Sequence, residues 1–172
     1  MTEGFSMKKR ITVLAAAVLM LFNLPACAFE NKGFSETSEL SLSENYKSVE
    51  GRKVKMTAQN AEVVIVLNGS KAAADFAGML PLELTLIERN GFAKGMTLPR
   101  RLSTDEETTR EYEIGDFGYW AAGPDLAIFY NNLYEKTIVP IIPMGRAEAG
   151  AESIRDTYGA VMLELLPEGE NE

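Results

Sequence analysis

The chain is predicted to fold mainly into β-strands, as one domain of seven or eight strands with two short helices. Short apolar runs dominate its central part, and many alternate apolar with polar residues, as in strands with one buried face. Turn-forming dipeptides such as Asn68-Gly69 and Asn90-Gly91 separate the runs. Only two stretches have helical character, and the 172 residues leave room for one such domain with appendages.

Most of the predicted strands end at residues that interrupt extended structure. Val54 and Met56 alternate with lysines in the first strand, and Pro99 ends the strand that returns from the Asn90-Gly91 turn. Pro140 cannot donate to a strand ladder, so its strand is predicted at an edge or with a bulge. The predicted strands span residues 53–56, 61–67, 82–86, 92–98, 117–122, 126–131, 137–142 and 161–165.

Two short helices are predicted between these strands. The first begins after Ser70, whose hydroxyl can accept a hydrogen bond from a backbone N–H of the first turn, and ends before Pro81. The second spans residues 148–158, despite Gly150. Residues 100–113 are polar and highly charged, and we expect a long loop there.

The N-terminus has the pattern of an export signal. A basic cluster at residues 8–10 precedes an apolar run at 11–24. That run is shorter than the ~20 residues that a membrane-spanning helix needs. We therefore predict that residues 1–27 form a signal peptide and that the protein is exported.

Two modes of cleavage are compatible with Cys27, the only cysteine. Leu24-Pro25-Ala26-Cys27 resembles a bacterial lipobox, in which the thiol receives a diacylglycerol, although Pro25 departs from that pattern. Cleavage after Ala28 would instead remove the cysteine and release a soluble secreted protein. We favour lipidation of Cys27, which predicts a membrane-anchored lipoprotein facing the periplasm or the cell exterior.

Residues 28–50 are predicted to form a flexible tether, because they are rich in Ser, Glu, Asn and Lys and have no sustained apolar period. A leading strand at residues 40–42 is the alternative. Residues 51–167 would then form the folded barrel domain, and residues 168–172 a charged tail.

The composition excludes several kinds of chemistry. The chain has no histidine, so it has no Ser-His-Asp or Cys-His catalysis, and it lacks the Cys and His ligands of a structural zinc site. Removal of residues 1–26 leaves 14 basic and 24 acidic residues, and 14 − 24 = −10. Such an acidic domain repels phosphate backbones, so no nucleic-acid partner is expected. No metal and no cofactor is predicted.

Several segments, in their order and spacing, resemble a bacterial family of cyclophilin-like domains of uncharacterised role. The resemblance covers residues 52–165 and implies a closed or nearly closed antiparallel barrel of about eight strands. Some similar domains are fused to flavodoxin-like modules. The matching segments are Asn68-Gly69-Ser70 through Leu80-Pro81-Leu82, residues 98–103, Gly115-Asp116-Phe117-Gly118-Tyr119-Trp120, residues 126–130, and Met144-Gly145-Arg146 with Glu148.

The resemblance does not carry over the isomerase residues of that fold. Prolyl isomerases have a Phe-His-Arg segment and a histidine at the rim of the proline pocket, and this chain has neither, so no catalytic residue is assigned. The sequence therefore favours a binding module for a peptide or small ligand over an enzyme. An unorthodox prolyl isomerase and an accessory domain for a redox or flavin partner are the alternatives.

Five residues are candidates for ligand binding. Arg146 can stabilise a twisted amide or bind a carboxylate through its planar guanidinium, or it can form a structural ion pair with Glu148, Asp116 or another acid. Tyr119, Trp120 and Tyr130 can line a groove, although alternation puts only half of such an aromatic cluster on one face. Asn131 can bind an extended peptide through its amide, and a turn is the alternative.

Overall fold

The computed structural model describes residues 47–169. The predicted signal peptide, Cys27 and most of the predicted tether lie outside the described residues. Val49, within the stretch predicted as tether, already packs against the core. No helix in the described range is long and apolar enough to cross a membrane.

Eight antiparallel strands form a closed barrel in the order β1-β2-β7-β5-β6-β4-β3-β8. The predicted class, a mainly β closed barrel of about eight strands, is confirmed. The strands are β1 (Lys53–Ala58), β2 (Ala61–Leu67), β3 (Leu82–Arg89), β4 (Ala93–Thr97), β5 (Asp116–Trp120), β6 (Asp125–Phe129), β7 (Ile142–Ala147) and β8 (Gly159–Leu165).

The alternation in the sequence determines which side chains fill the barrel. In β1, Val54 and Met56 are buried in the main apolar cluster while their lysine neighbours are not. In β2, Val63 and Ile65 are buried, whereas Val64 and Val66 are only partly covered. Although its residues are apolar on both faces, β2 is therefore fully buried on one face only.

The helix α1 (Lys71–Ala77) packs on the barrel as predicted. The Ser70 hydroxyl accepts a hydrogen bond from the Ala73 N–H at 3.1 Å and so caps the first turn. On its buried face, the Phe76 ring meets the ring of Phe117 from β5 at 5.5 Å between centroids. This contact joins the helix to the barrel core.

The second predicted helix is a single turn of 3-10 helix, Ala151–Ile154. Gly150 precedes it with φ of 78°, a left-handed conformation that interrupts an α-helix starting at residue 148. Residues 47–169 therefore contain one α-helix and one 3-10 turn rather than two short α-helices.

The predicted strand at residues 137–142 is displaced toward the C-terminus, to β7. Pro140 offers no donor, and only Ile141 forms an isolated bridge, with Thr109. Pro143 is tolerated within β7 because the register between β5 and β7 shifts there, as in a β-bulge. Ile138 is left in a loop between β6 and β7, and Arg146 lies within a strand instead of after one.

Candidate functional site

Alternation separates the aromatic residues of β5 and β6 onto the two faces of the barrel wall. Tyr119 and Tyr130 belong to the cluster that fills the barrel, whereas Phe129 belongs to a second, outer cluster against which Trp120 packs. The Tyr119 hydroxyl accepts a hydrogen bond from the backbone N–H of Leu102 at 3.3 Å, so this tyrosine is satisfied within the core. The predicted aromatic group is thus divided between the barrel interior and the outer cluster, in which Phe129 is fully buried and Trp120 is partly exposed.

The aromatic rings of the outer cluster contact one another in a continuous series. Phe129 stacks on Tyr112 with ring centroids 4.5 Å apart, and the indole of Trp120 meets Phe129 edge-on at 6.0 Å. Phe92 joins Phe129 at 5.6 Å and Tyr134 at 5.2 Å. Such tilted and offset pairs are favourable beyond their buried area, so these contacts stabilise the outer cluster.

A pocket of about 480 Å³ opens beside this cluster, and we call it the Trp120 pocket. The loop between β6 and β7 forms its rim, where the Ile138 side chain is 86% exposed and Val139 is also exposed. An isoleucine so open to water is costly unless something covers it. The residues that line the pocket include Arg89, Asn90, Trp120, Asp125, Ile138 and Val139.

Two polar groups accompany these apolar walls. Arg89 lies across β4, where a Cβ on Gly95 would meet its Nε at 2.6 Å, so a larger residue at position 95 would displace the guanidinium. Its Nη2 is 3.7 Å from Oδ2 of Asp125, an ion pair without a hydrogen bond. The indole Nε1 of Trp120 is buried and has no hydrogen-bond acceptor among residues 47–169. The pocket wall therefore contains a guanidinium whose ion-pair partner lies beyond hydrogen-bond distance.

Glu88, Lys94 and Tyr130 form a polar group at one end of the barrel, in which Lys94 and Tyr130 are buried and Glu88 is partly exposed, and we call it the Lys94 cluster. The Lys94 side chain is completely buried, and its Nζ lies 2.8 Å from Oε2 of Glu88. The Tyr130 hydroxyl donates to Oε1 of Glu88 at 2.9 Å. The ring of Tyr158 covers the ammonium at 4.0 Å from its centroid, a cation–π contact.

The pKa values of this cluster reflect those contacts. Burial raises the pKa of Glu88, but hydrogen bonds from Lys94, Tyr130 and Gly91 and the charge of Lys94 outweigh it, so the pKa lies below its ordinary 4.5. Burial, the hydrogen bond to Glu88 and that carboxylate's charge raise the pKa of Tyr130 to about 12. The cluster therefore holds an ionised carboxylate and a neutral phenol at neutral pH.

Comparisons with known proteins agree with this architecture. A model of the cyclophilin-like family matches residues 56–165, more than half of the chain. The chain belongs to the cyclophilin-like family. The solution structure of the hypothetical protein AF2241 from Archaeoglobus fulgidus is similar, with a TM-score of 0.56 and 18% identity over 71% of this chain and 99% of that one. At that identity the likeness shows the fold alone, and a comparison with curated proteins found no match.

In this cyclophilin-like barrel, Arg146 lies apart from the Trp120 pocket. It pairs with Glu113 at 2.8 Å and with Asp116 at 3.1 Å, and its side chain is 52% exposed. Its Nη2 also donates to the carbonyl of Ile114 at 3.1 Å. The pairing with Asp116 was one of the alternatives weighed above, whereas Glu148 pairs instead with Lys53.

The other predicted site residues are likewise separated. Of the five, Trp120 alone lines the pocket, and Tyr130 joins the Lys94 cluster. Asn131 donates from Nδ2 to the carbonyl of Gly91 at 3.0 Å and so fastens a turn, the alternative named for it. The cyclophilin-like barrel therefore does not bring the five residues together.

Sequence reasoning missed two residues, Arg89 and Lys94. The glycine at position 95, within an apolar strand, indicates a close approach by another group, here the side chain of Arg89. Glu88 and Lys94 flank the Asn90-Gly91 turn with opposite charges, a sign of a cross-strand ion pair. Neither sign gives the burial of Lys94, which depends on Tyr158 from far along the chain.

Proposed function

We propose that the chain is an exported, lipid-anchored cyclophilin-like binding module that takes an apolar group of a peptide or small ligand into the Trp120 pocket. The observation that carries the proposal is the pocket itself. Its volume of about 480 Å³ falls within the roughly 300–1,000 Å³ of small-molecule sites. The exposed Ile138 and Val139 at its rim add apolar surface that a bound group would cover.

The polar groups at the pocket support a ligand that carries a carbonyl or carboxylate beside its apolar part. The Arg89 side chain has no hydrogen bond to another described residue, and its ion-pair partner Asp125 is 3.7 Å away. A planar guanidinium in this position can donate to a ligand oxygen. A peptide with an apolar side chain next to a backbone carbonyl has both features.

A non-catalytic role is supported by the composition. The chain has no histidine, and Arg89 beside an aromatic wall needs no acid or base to bind a peptide. The basic cluster, the apolar run and Cys27 at its end support export and lipid anchoring. Incorporation of radioactive palmitate into the wild type but not into Cys27→Ala would support the anchor, and an unlabelled wild type would exclude it.

Binding can be measured directly because Trp120 is the only tryptophan in the chain. The protein is titrated with acetyl-Ala-Ala-Pro-Phe-amide and, in parallel, with acetyl-Ala-Ala-Ala-Phe-amide, while indole fluorescence is recorded. We expect a saturable change in emission. Ile138→Asp places a charge at the apolar rim and is expected to weaken binding about tenfold, equivalent to about 1.4 kcal/mol.

Arg146→Ala is the matched control, because it also alters an exposed side chain of the barrel but lies outside the pocket. It should leave the titration unchanged. No saturable change in the wild type with either peptide, or equal affinity in Ile138→Asp, would refute the pocket as a site for such peptides.

A second candidate function, prolyl cis/trans isomerisation, is favoured by one observation. Arg89 stands beside an apolar aromatic wall, where a guanidinium can donate to the carbonyl of a twisted Xaa-Pro amide. Exchange NMR on acetyl-Ala-Ala-Pro-Phe-amide tests it. Faster cis/trans exchange that is lost in Arg89→Ala would establish isomerase activity. Unchanged exchange at saturating protein would exclude isomerase activity toward this peptide and leave binding as the only proposed function.

A further inference from the structure

The Lys94 cluster lies directly behind one wall of the Trp120 pocket. Glu88 and Arg89 are neighbours in β3, and successive side chains of a strand point to opposite faces. Glu88 points into the barrel, where its carboxylate meets Lys94. Arg89 lies on the outer surface and lines the pocket. A single residue step in β3 therefore separates the Lys94 cluster from the pocket wall.

The turn between β3 and β4 connects the same two regions. Asn90 and Gly91 have φ of 50° and 77°, the left-handed pair of a type I′ turn, and the Phe92 N–H donates to the Arg89 carbonyl at 3.2 Å to close it. From inside, Oε1 of Glu88 accepts a hydrogen bond from the Gly91 N–H at 2.9 Å. Asn90 also lines the pocket, so the Glu88 carboxylate holds the turn that shapes the pocket wall.

Lys94 and Tyr130 in turn hold Glu88. The Lys94 side chain is completely buried, and Glu88 is its only salt-bridge partner in the described part of the chain. If the carboxylate turned away, a buried ammonium would be left unpaired, which is strongly unfavourable. The Tyr130 hydroxyl donates to the same oxygen that accepts from Gly91. The carboxylate is therefore anchored from three directions.

We propose that Glu88, anchored by Lys94 and Tyr130, is a positioning residue that fixes Arg89 and Asn90 in the orientation with which the Trp120 pocket binds its ligand. The proposal rests on the function proposed above for that pocket. Glu88 is expected to hold the turn in the free protein as well, because its hydrogen bond from Gly91 does not depend on a ligand.

The test compares two replacements of a buried tyrosine by phenylalanine. Tyr130→Phe removes the hydroxyl that donates to Glu88, and Tyr119→Phe removes a hydroxyl that contacts Leu102 instead. Hydrogen exchange of the Gly91 amide, measured by NMR in the free protein, reports the turn. Fluorescence titration with acetyl-Ala-Ala-Pro-Phe-amide reports the pocket.

We expect Tyr130→Phe to speed Gly91 exchange about tenfold, since the turn opens locally without global unfolding, and to weaken peptide affinity several-fold. Tyr119→Phe should change neither. Lys94→Met is the second variant, because it releases the carboxylate while leaving the Gly91 acceptor in place. Amides of β1 serve as an internal control for global stability. A general loss of stability would speed their exchange as much as that of the Gly91 amide.

Unchanged Gly91 exchange in both Tyr130→Phe and Lys94→Met would overturn the proposal. Faster exchange with unaltered peptide affinity would also overturn it, because the position of the turn would not matter for binding. Failure of the proposed function looks different: the wild type itself would bind no peptide. Faster Gly91 exchange in the same variants would then still support the positioning of the turn by Glu88.

Discussion

Replacing Tyr130 with phenylalanine is expected to change how the stability of the domain depends on pH in alkaline solution. The Tyr130 side chain is buried, and its hydroxyl donates to the ionised Glu88. Loss of the phenol proton would place two negative charges within hydrogen-bond distance of each other. Burial and this carboxylate therefore raise the pKa of Tyr130 in the folded state, while the charge of Arg155 lowers it by less.

The magnitude follows from the pKa in the two states. The pKa rises from an ordinary 10.0 to about 12 on folding, and each pKa step corresponds to about 1.4 kcal/mol, so the linked stability is about 3 kcal/mol. The folded state retains the proton more tightly, so this contribution is complete below pH 10. It is lost as the pH rises from 10 through 12, and about half of it is gone at pH 11.

Urea unfolding of the wild type and Tyr130→Phe at pH 8, 10 and 11 measures the effect. At pH 8 the variant should be less stable by about 1.5–3 kcal/mol, the range for a hydrogen bond to a charged group. The difference in unfolding free energy should shrink as the pH approaches 12, because only the wild type loses the stability that comes from the raised pKa of Tyr130. The other five tyrosines are common to both proteins and cancel. A difference in unfolding free energy that stays constant from pH 8 to 11 would refute the raised pKa.

Three further predictions concern stability. Glu88→Gln is expected to lower the free energy of unfolding by about 3–5 kcal/mol, and by more than Lys94→Met does. The reason is that it leaves the charge of Lys94, whose side chain is 0% exposed, without a partner, whereas Lys94→Met leaves only the 36% exposed Glu88 unpaired. Urea unfolding that gives the reverse order would contradict this prediction. Gly145→Ala should destabilise by about 1–3 kcal/mol in thermal melts because its Cβ would lie 2.3 Å from a backbone oxygen of β2. Gly78→Ala, with nothing closer than 3.5 Å, should not destabilise, and equal melting temperatures for the two glycine variants would contradict the prediction. Arg146→Ala should cost less than about 1 kcal/mol, since exposed ion pairs contribute little, and a larger loss that persists in high salt would argue against an exposed pair.

The strands could be predicted from the sequence because alternation reports one buried face directly. The runs at residues 61–67 and 82–86 coincide with or lie within observed strands. The closure of the barrel was not available from periodicity and came from the resemblance to cyclophilin-like domains. The strand predicted at 137–142 is displaced for a local reason. Its apolar composition favoured a strand in the prediction, but Pro140 has no backbone N–H to donate to a neighbouring strand.

The candidate site was harder to predict because it depends on which face each residue occupies and on contacts distant in sequence. Alternation correctly implied that the aromatic residues of β5 and β6 divide between two faces, but not which half faces outward. Trp120 became a pocket residue because the loop carrying Ile138 lies beside it. The role of Lys94 was hidden because a lysine within a strand is usually solvated, and its burial needs Tyr158 to cover it.

The closure of the barrel also limits how a partner can be recognised. Each of the eight strands is paired on both sides, from β1 next to β8 around to β3 next to β8. Many peptide-binding domains add the peptide as an extra strand to an open sheet edge, using main-chain hydrogen bonds that are indifferent to side chains. This barrel offers no such edge among its strands, which also protects it from edge-to-edge aggregation. An extended peptide bound to residues 47–169 would therefore depend on contacts with side chains and loops, and its affinity should vary with the peptide's sequence.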